Sequence, residues 1–256
     1  HQQNRLGVGH AIWMAKDVIK DADELFIILG DTIYDTELSH FLNVEGSYVG
    51  VKKVDKPGDF GVAEIGDNGQ VKKVVEKPRI PMSNMALVGL YKIKEVSKLV
   101  SCLSHLVEED IRTNDEYQLT DALMMMIKDG VILNTLTINN WYDCGKKDVL
   151  LETNAMLLKK ENFASKNLPP YQNSIVIPPV SIGKNCTIKN SIVGPNVTIA
   201  DNAVIRHAIV SDSIIGNYAK IEEIVLRHSV VGNDASLKGL RQSLNIGDNT
   251  EIDFSN

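Results

Sequence analysis

Asp31 and Asp143 are single carboxylates that lie far apart in the chain, and each stands at the end of an apolar or aromatic run. The first closes Leu25-Phe26-Ile27-Ile28-Leu29-Gly30-Asp31; the second sits within Trp141-Tyr142-Asp143-Cys144-Gly145. Two isolated carboxylates suit magnesium, which keeps several waters and is held by one or two protein carboxylates plus substrate phosphates. The six histidines are scattered, and none has metal-ligand spacing with a cysteine, which argues against zinc. For Asp31 alone, a turn-forming role with Thr32 opening a loop is an equal alternative. Glu76-Lys77-Pro78 places an anion beside a cation. There Glu76 can accept hydrogen bonds from sugar hydroxyls while Lys77 reaches a phosphate as a point charge; a solvated strand terminus is the plainer reading. Gly61 lets a ligand approach the backbone or is an ordinary strand glycine. Gln2 and Gly7, just ahead of a helical pattern, offer an amide and a bare backbone to a nucleobase.

These positions need elements to carry them. The run ending at Asp31 reads as a buried parallel strand, and ligands of open α/β sheets bind outside the carboxyl ends of such strands. Apolar residues at helical spacing from Gly7 to Lys20 predict a helix feeding that strand. A strand over 47–54 follows, and then a hairpin, 60–65 with 70–75, around Gly66-Asp67-Asn68-Gly69. The second hairpin strand delivers Glu76. A strand at 85–93, helices at 96–106 and 119–128, a strand at 131–138 and a helix at 147–160 complete an alternation that predicts a largely parallel sheet covered on both faces.

After Lys160 the texture changes. Residues 161–173 carry Pro169-Pro170 and little periodicity, and read as a linker. Beyond them aliphatic anchors recur every five or six residues, including Ile182, Ile188, Val193, Ile199, Ile205 and Val210. A second apolar or small residue follows each of the first ten anchors by four. Gly183, Gly194, Gly216 and Gly232 directly follow anchors, where a tight corner favours a residue without a side chain. This is the signature of a solenoid, and a repeat near six residues indicates a parallel β-helix. A β-sandwich would instead show turn signals every 8 to 12 residues. The domains are therefore expected at 1–160 and 174–256, joined by 161–173.

The composition is that of an ordinary globular chain: 256 residues, 43% hydrophobic and 23% charged. No apolar run approaches the roughly 18 residues of a membrane span, no secretory signal opens the chain, and a cytoplasmic location is expected. A net charge of −6 argues against a nonspecific nucleic-acid binder. Cys102, Cys144 and Cys186 lack paired spacing and are expected to be reduced packing residues. The chain begins with His1 close to a motif, which suggests a fragment.

Taken in order, the motifs Q-Q-N-R-L-G-V-G-H-A (2–11), L-G-D-T-I-Y (29–34), F-G-V-A-E-I (60–65), V-E-K-P (75–78), V-G-L-Y (88–91), E-Y-Q-L-T-D-A (116–122), W-Y-D-C-G (141–145) and L-N-I-G-D-N-T-E-I (244–252) resemble the sugar-1-phosphate nucleotidyltransferases. The resemblance is greatest to the long form of glucose-1-phosphate thymidylyltransferase, which carries a C-terminal left-handed β-helix. It implies a Rossmann-like α/β domain followed by that β-helix. It implies magnesium held by Asp31 and Asp143, a base contacted by Gln2 and Gly7, a sugar bound by Glu76 and the Gly61 backbone, its phosphate by Lys77, and Val88 among the substrate contacts. The implied reaction moves a nucleotidyl group from a nucleoside triphosphate, dTTP favoured, to a sugar 1-phosphate, glucose 1-phosphate favoured, and releases pyrophosphate. Asp31, Asp143 and Lys77 would be the catalytic set. The family's opening G-G-x-G-T-R-L loop is absent, so the sheet is expected to be N-terminally incomplete and this chain alone inactive. Phe60 and Thr32 stand where thymidylyltransferases often have tyrosine and asparagine.

Two other functions compete. One is a noncatalytic relative that binds a sugar nucleotide or scaffolds a partner. The other is a bifunctional enzyme with acyltransferase activity in the β-helix, His207 or His228 acting as base, although both histidines occupy the same repeat position. Self-association through the β-helix is the expected assembly.

Overall fold

The computed structural model describes residue 2 and residues 4–34, 37–160 and 162–239, the side chain of residue 40 excepted. The closing motif at 244–252 lies outside them. The chain divides into two compact units, 1–145 and 146–256. The first contains α1 (Val8–Trp13), α2 (Lys16–Ile19), β1 (Leu25–Ile28), β2 (Thr32–Tyr34), α3 (Ser39–Asn43), β3 (Ser47–Lys53), β4 (Gly61–Ile65), β5 (Val71–Glu76), β6 (Met85–Ile93), α4 (Val96–Glu108), α5 (Leu119–Lys128), β7 (Leu133–Thr137) and β8 (Trp141–Asp143). Among the described residues no helix is long and apolar enough to cross a membrane.

The central strand is β6, apolar and buried along nearly its whole length. Alternation along it feeds two cores. Leu87, Tyr91 and Ile93 face the core closed by α4 and α5, while Val88 and Leu90 face Phe41, Ile138 and Trp141. α4 buries Val96, Leu99, Cys102, Leu103 and Leu106, and α5 buries Leu119, Ala122, Leu123 and Met126, the spacing of an amphipathic stripe. The sheet runs β5-β4-β6-β3-β7, with β1 also on β6.

The chain is α/β, but its sheet is mixed rather than mostly parallel. β3 and β7 pair in parallel, whereas β1–β6, β3–β6, β4–β5 and β4–β6 are antiparallel. The apolar run at 25–29 thus forms an antiparallel strand, and Ile28 is half-exposed. An apolar run reports burial but carries no direction. The helix expected over 7–20 is two short ones, because Ala15 N–H bonds back to Ile12 O at 3.0 Å, tightening the last turn of α1. The β4–β5 hairpin forms as expected, with Gly69 at φ +77° in its turn.

The second unit begins with α6 (Lys147–Leu158) and continues through β9 (Ile175–Val176), β10 (Val180–Ile182), β11 (Thr187–Lys189), β12 (Ile192–Val193), β13 (Val197–Ile199), β14 (Val204–Arg206), β15 (Ile209–Ser211), β16 (Ile214–Ile215), β17 (Lys220–Glu222), β18 (Val225–Arg227), β19 (Val230–Val231) and β20 (Ser236–Lys238). These form three parallel sheets, β10-β13-β16-β19, β11-β14-β17-β20 and β18-β15-β12-β9. Val180 pairs with Val197, Ile199 with Ile215, and Ile215 with Val231, so each coil takes 16 or 17 residues. The anchors read from the sequence point inward: Val193, Ile205, Val210, Ile215 and Ile221 are fully buried.

At the corners Gly183, Gly194 and Gly216 have no room for a Cβ, as a tight corner requires, whereas Gly232 has open space. Gly194 alone of the four anchor-following glycines has left-handed φ, at +106°. The left-handed corner falls instead two residues later, on residues such as Asn185, Asn196 and Asp234, types that tolerate this conformation. Gly216 is required by stacking, since a Cβ there would lie 2.6 Å from Asn233 N in the next coil. His207 and His228 occupy such corners, at φ +51° and +50°. Residues 165–173 lie against the first coil: Ser165 N–H bonds Val180 O at 2.8 Å, and Leu168 and Tyr171 pack on the solenoid core. The three cysteines are unpaired.

Ile205 pairs with Ile188 and Ile221 above and below and has no exposed surface. Ile205→Ala is expected to lower stability by about 2–5 kcal/mol, the cost of lost burial plus a cavity. Urea unfolding measures it, and an unchanged midpoint would contradict the stacked core.

Candidate functional site

One edge of β6 serves two strands. β4 pairs there at Ala86, and β1 pairs from Leu90 to Ile93. Between them Leu87, Val88 and Gly89 have no strand on that side, apart from the bond of Leu29 N–H to Gly89 O at 3.0 Å. Gly89 holds φ +78°, and a Cβ on it would fall 2.9 Å from the Leu29 side chain. Only glycine satisfies both constraints. A cleft of about 220 Å³ opens at this split, between the carboxyl end of β1 and the paired ends of β4 and β5.

Asp31, Gly61, Glu76, Lys77, Val88 and Asp143, all singled out in the sequence, line this one cleft. Gln2 and Gly7 do not. Gln2 Nε2 lies 2.7 Å from His10 Nδ1 and 3.4 Å from Gly7 O, so its amide is held against α1. Gly7, at φ +100°, is packed so tightly that a Cβ would lie 2.7 Å from Tyr117 O. Its place is thereby fixed by the start of α1, whose next residue, Val8, does reach the cleft.

The two aspartates meet through a short antiparallel pair. β2 aligns Thr32 with Asp143, and Cys144 N–H bonds Asp31 O at 2.8 Å. Gly145 N–H in turn bonds Asp143 Oδ1 at 3.1 Å. A Cβ on Gly145 would lie 3.2 Å from Asp143 Oδ1 and 3.5 Å from Asp31 Oδ2, so both carboxylates crowd the same point. No group of three or more metal-ligating side chains exists among the described residues. A pair of carboxylates facing open space fits magnesium, which fills its remaining positions with waters and phosphate oxygens.

Glu76 is built differently. It pairs with Gly61 across the hairpin, and a Cβ at Gly61 would sit 3.1 Å from its Oε2 and 3.0 Å from Thr120 Cγ2. Thr120 Oγ1 donates to Glu76 Oε2 at 3.0 Å. Burial raises the Glu76 carboxyl above its ordinary value, while the Thr120 bond and the Lys77 charge pull it back. Lys77 is exposed and adopts φ +38°, unusual for a residue with a side chain, with its N–H on Phe60 O at 3.1 Å. Such an outlier in a cleft wall is a site where local strain serves geometry.

Phe60, Tyr91 and Trp141 add aromatic surface to the lining. Tyr34 donates to Val88 O at 2.7 Å, and burial holds its phenol above the usual range, so it stays a donor. Val88 itself is buried, and this bond occupies its carbonyl. Phe60 meets Trp141 edge-on at 5.2 Å. Among the described residues, Trp141 Nε1 and Asp121 Oδ2 are buried without a hydrogen-bond partner. Thr120, Gly89 and Gly145 were quoted in motifs without a role. The signal available for Thr120 is a hydroxyl beside Asp121 in the first turn of a mainly apolar helix.

Residues 1–160 match the Nucleotidyl transferase family, and the chain belongs to it. A GlmU bifunctional protein of Methanococcus maripaludis is 35% identical over 240 residues, covering 93% of this chain and 54% of the relative. The low-salt glycan biosynthesis nucleotidyltransferase Agl11 of Haloferax volcanii is 31% identical over 171 residues, covering 64% of this chain and 46% of the relative. The chain thus spans about half the length of these curated relatives. A solved Bacillus anthracis chain, named for glucose-1-phosphate thymidylyltransferase and in complex with sucrose, aligns with a TM-score of 0.51 at 28% identity, covering 64% of this chain and 65% of its own.

The raised Glu76 carboxyl makes a stability prediction. Its folded pKa stands above the ordinary 4.5, so ionising it costs folding free energy at neutral pH, and the cost disappears as pH falls below that ordinary value. Glu76→Gln keeps an oxygen for Thr120 and removes the charge. It should be more stable than the parent at pH 7, with the difference closing in acid. Equal urea midpoints at both pH values would show that Glu76 is not desolvated.

Proposed function

We propose that this chain carries the acceptor and metal side of a sugar-1-phosphate nucleotidyltransferase. The observation that carries the reading is the meeting of Asp31 and Asp143 at Gly145 in the same cleft as Glu76 and Lys77. Family membership and the names of the relatives support it. A phosphate oxygen of the sugar 1-phosphate attacks the α-phosphorus of a nucleoside triphosphate. The new P–O bond forms as the bond to the β-phosphate oxygen breaks, and pyrophosphate leaves. No covalent enzyme intermediate is needed, so the protein's task is to align the two oxygens and offset charge.

In this reading Asp31 and Asp143 hold a magnesium ion. When bound, it supplies charge neutralisation for the phosphates at the reacting centre. Glu76, immobilised by Thr120, accepts hydrogen bonds from sugar hydroxyls. The close Gly61 backbone keeps room for the sugar ring, and Lys77 places a cation toward the sugar phosphate. Gln2 and Gly7 contact the base only if the amide of Gln2 exchanges His10 for the ligand.

We favour dTTP as donor and glucose 1-phosphate as acceptor, on the resemblance and on the structural neighbour's name. A second activity is suggested by the bifunctional relatives, one of them a sugar-1-phosphate nucleotidylyltransferase/acetyltransferase of Sulfurisphaera tokodaii. The candidate bases for it are already engaged: His207 Nε2 lies 3.0 Å from Asn190 Nδ2, and His228 Nε2 lies 3.1 Å from Asp148 Oδ1. We therefore place nucleotidyl transfer first.

Pyrophosphate release by a protein that joins this chain to the family's glycine-rich loop, assayed with each of the common nucleoside triphosphates, glucose 1-phosphate and magnesium, tests the proposal. A pyrimidine triphosphate is expected to be preferred, and a purine preference would overturn the donor assignment. Asp143→Asn should lower turnover by about a hundredfold or more, the scale of losing one strong electrostatic contact, with the fold intact. Full activity in that variant would remove the carboxylate pair from the mechanism.

A further inference from the structure

The strand that carries Asp143 is not part of the main sheet. It pairs with β2 in a separate ribbon of two strands, and among the described residues no ladder joins this ribbon to the six-stranded sheet. The register sets Thr32 against Asp143 at one end and Tyr34 against Trp141 at the other. Asp31 precedes the Thr32 end and is tied across it by the bond of Cys144 N–H to Asp31 O at 2.8 Å. A ribbon of two such short strands is marginally stable by itself, so its place depends on what it is fastened to.

Two side chains fasten it, both at the Tyr34–Trp141 rung. From β2, the Tyr34 phenol donates to Val88 O at 2.7 Å, at the split in β6. On β8, Trp141 O accepts a bond from Lys52 Nζ of β3 at 3.2 Å, and the same ammonium stands 5.9 Å from the ring centres of Trp141 and Tyr142. The Thr32 hydroxyl lies 2.9 Å from the Tyr34 phenol oxygen and 2.8 Å from Leu29 O, so the phenol also steadies the residue next to Asp31. Thr32 lines the cleft, whereas Tyr34 and Lys52 do not. These two reach the cleft only through the ribbon.

We propose that Tyr34 and Lys52 are positioning residues for the metal pair, holding the ribbon so that Asp31 and Asp143 face one point before an ion arrives. This rests on the reading of both aspartates as metal holders. Each strand of the ribbon is held at the same rung, one to β6 and the other to β3, which resists rolling about the ribbon's own axis. The Thr32–Asp143 rung lies two residues further along, about 7 Å at the rise of a strand, so fixing the far rung fixes the carboxylates. Ligands aligned in advance need not be ordered by the metal, and a site gains affinity from that preorganisation.

Two measurements on this chain test the proposal: manganese binding, read from the electron paramagnetic resonance signal of the free ion, and amide hydrogen exchange without metal. Asp143→Asn is expected to remove the manganese site. Tyr34→Phe keeps the ring packed on the cluster of Phe41, Val88 and Leu90 and removes only the hydroxyl. Lys52→Met keeps an unbranched stem and removes the donor. Each should weaken manganese binding by about fivefold to tenfold, the scale of one lost hydrogen bond. In both variants the Cys144 amide should exchange faster by a similar factor, while amides of β4 keep the parent's rates, as local opening of the ribbon requires. A role in stability alone would speed exchange in both places and leave manganese affinity at the parent's value, and that result would overturn the proposal. Manganese binding that survives Asp143→Asn would overturn the metal reading and the proposal with it. Binding lost in Asp143→Asn but undiminished in Tyr34→Phe and Lys52→Met would overturn the positioning role alone.

Discussion

The first unit depends on how one edge of β6 is shared. Because β4 takes that edge at Ala86 and β1 takes it from Leu90 onward, a short stretch of the central strand is left without a full ladder. Gly89 makes the transition possible, its left-handed φ and missing side chain admitting both the Leu29 N–H and the Leu29 side chain. The cleft is therefore a product of strand pairing, and the middle of β6 forms one side while its candidate polar groups and Gly61 arrive from element ends: Asp31 after β1, Gly61 opening β4, Glu76 closing β5, and Asp143 closing β8. A side chain at Gly89 would push β1 from the edge and carry Asp31 with it. Ligands commonly occupy such breaks in a sheet, where strand ends diverge and backbone groups are left for a substrate.

The cleft also gathers two of the unit's unfavourable features. A half-buried carboxylate with a raised pKa and a lysine with left-handed backbone both line it. Each costs stability in isolation, and each supplies what a polyhydroxylated, phosphorylated ligand lacks in an apolar cavity. Away from the cleft the helical packing is regular, although the buried Asp121 Oδ2 has no hydrogen-bond partner among the described residues. α4 and α5 bury regular stripes, and Lys92, though buried, is held by Leu42 O, Val44 O and Glu24.

What was legible in the sequence follows from the range of the physics. The solenoid was plain because its packing is repetitive: each anchor meets copies of itself 16 or 17 residues away, so periodicity alone reports the contact. Asp31 at the end of an apolar run and Glu76-Lys77 at a strand end were also visible, being local patterns. The antiparallel sense of β1 was not, since a run of isoleucine and leucine has the same composition in either direction. Nor was the hold of Thr120 on Glu76, a contact spanning 44 residues. The corner glycines were legible as places with no room for a side chain, whereas the left-handed residue two positions later, most often asparagine, aspartate or histidine, was not.

The central claim is that Asp31 and Asp143 act as one metal-holding pair. Manganese scatters anomalously and takes the same oxygen ligands as magnesium, so a crystal of the protein soaked with manganese and a nucleoside triphosphate gives the most direct view. The account predicts an anomalous peak beside Gly145, within coordination distance of Asp31 and Asp143 and touching a phosphate oxygen. A metal bound to the triphosphate with neither aspartate near it would contradict the account.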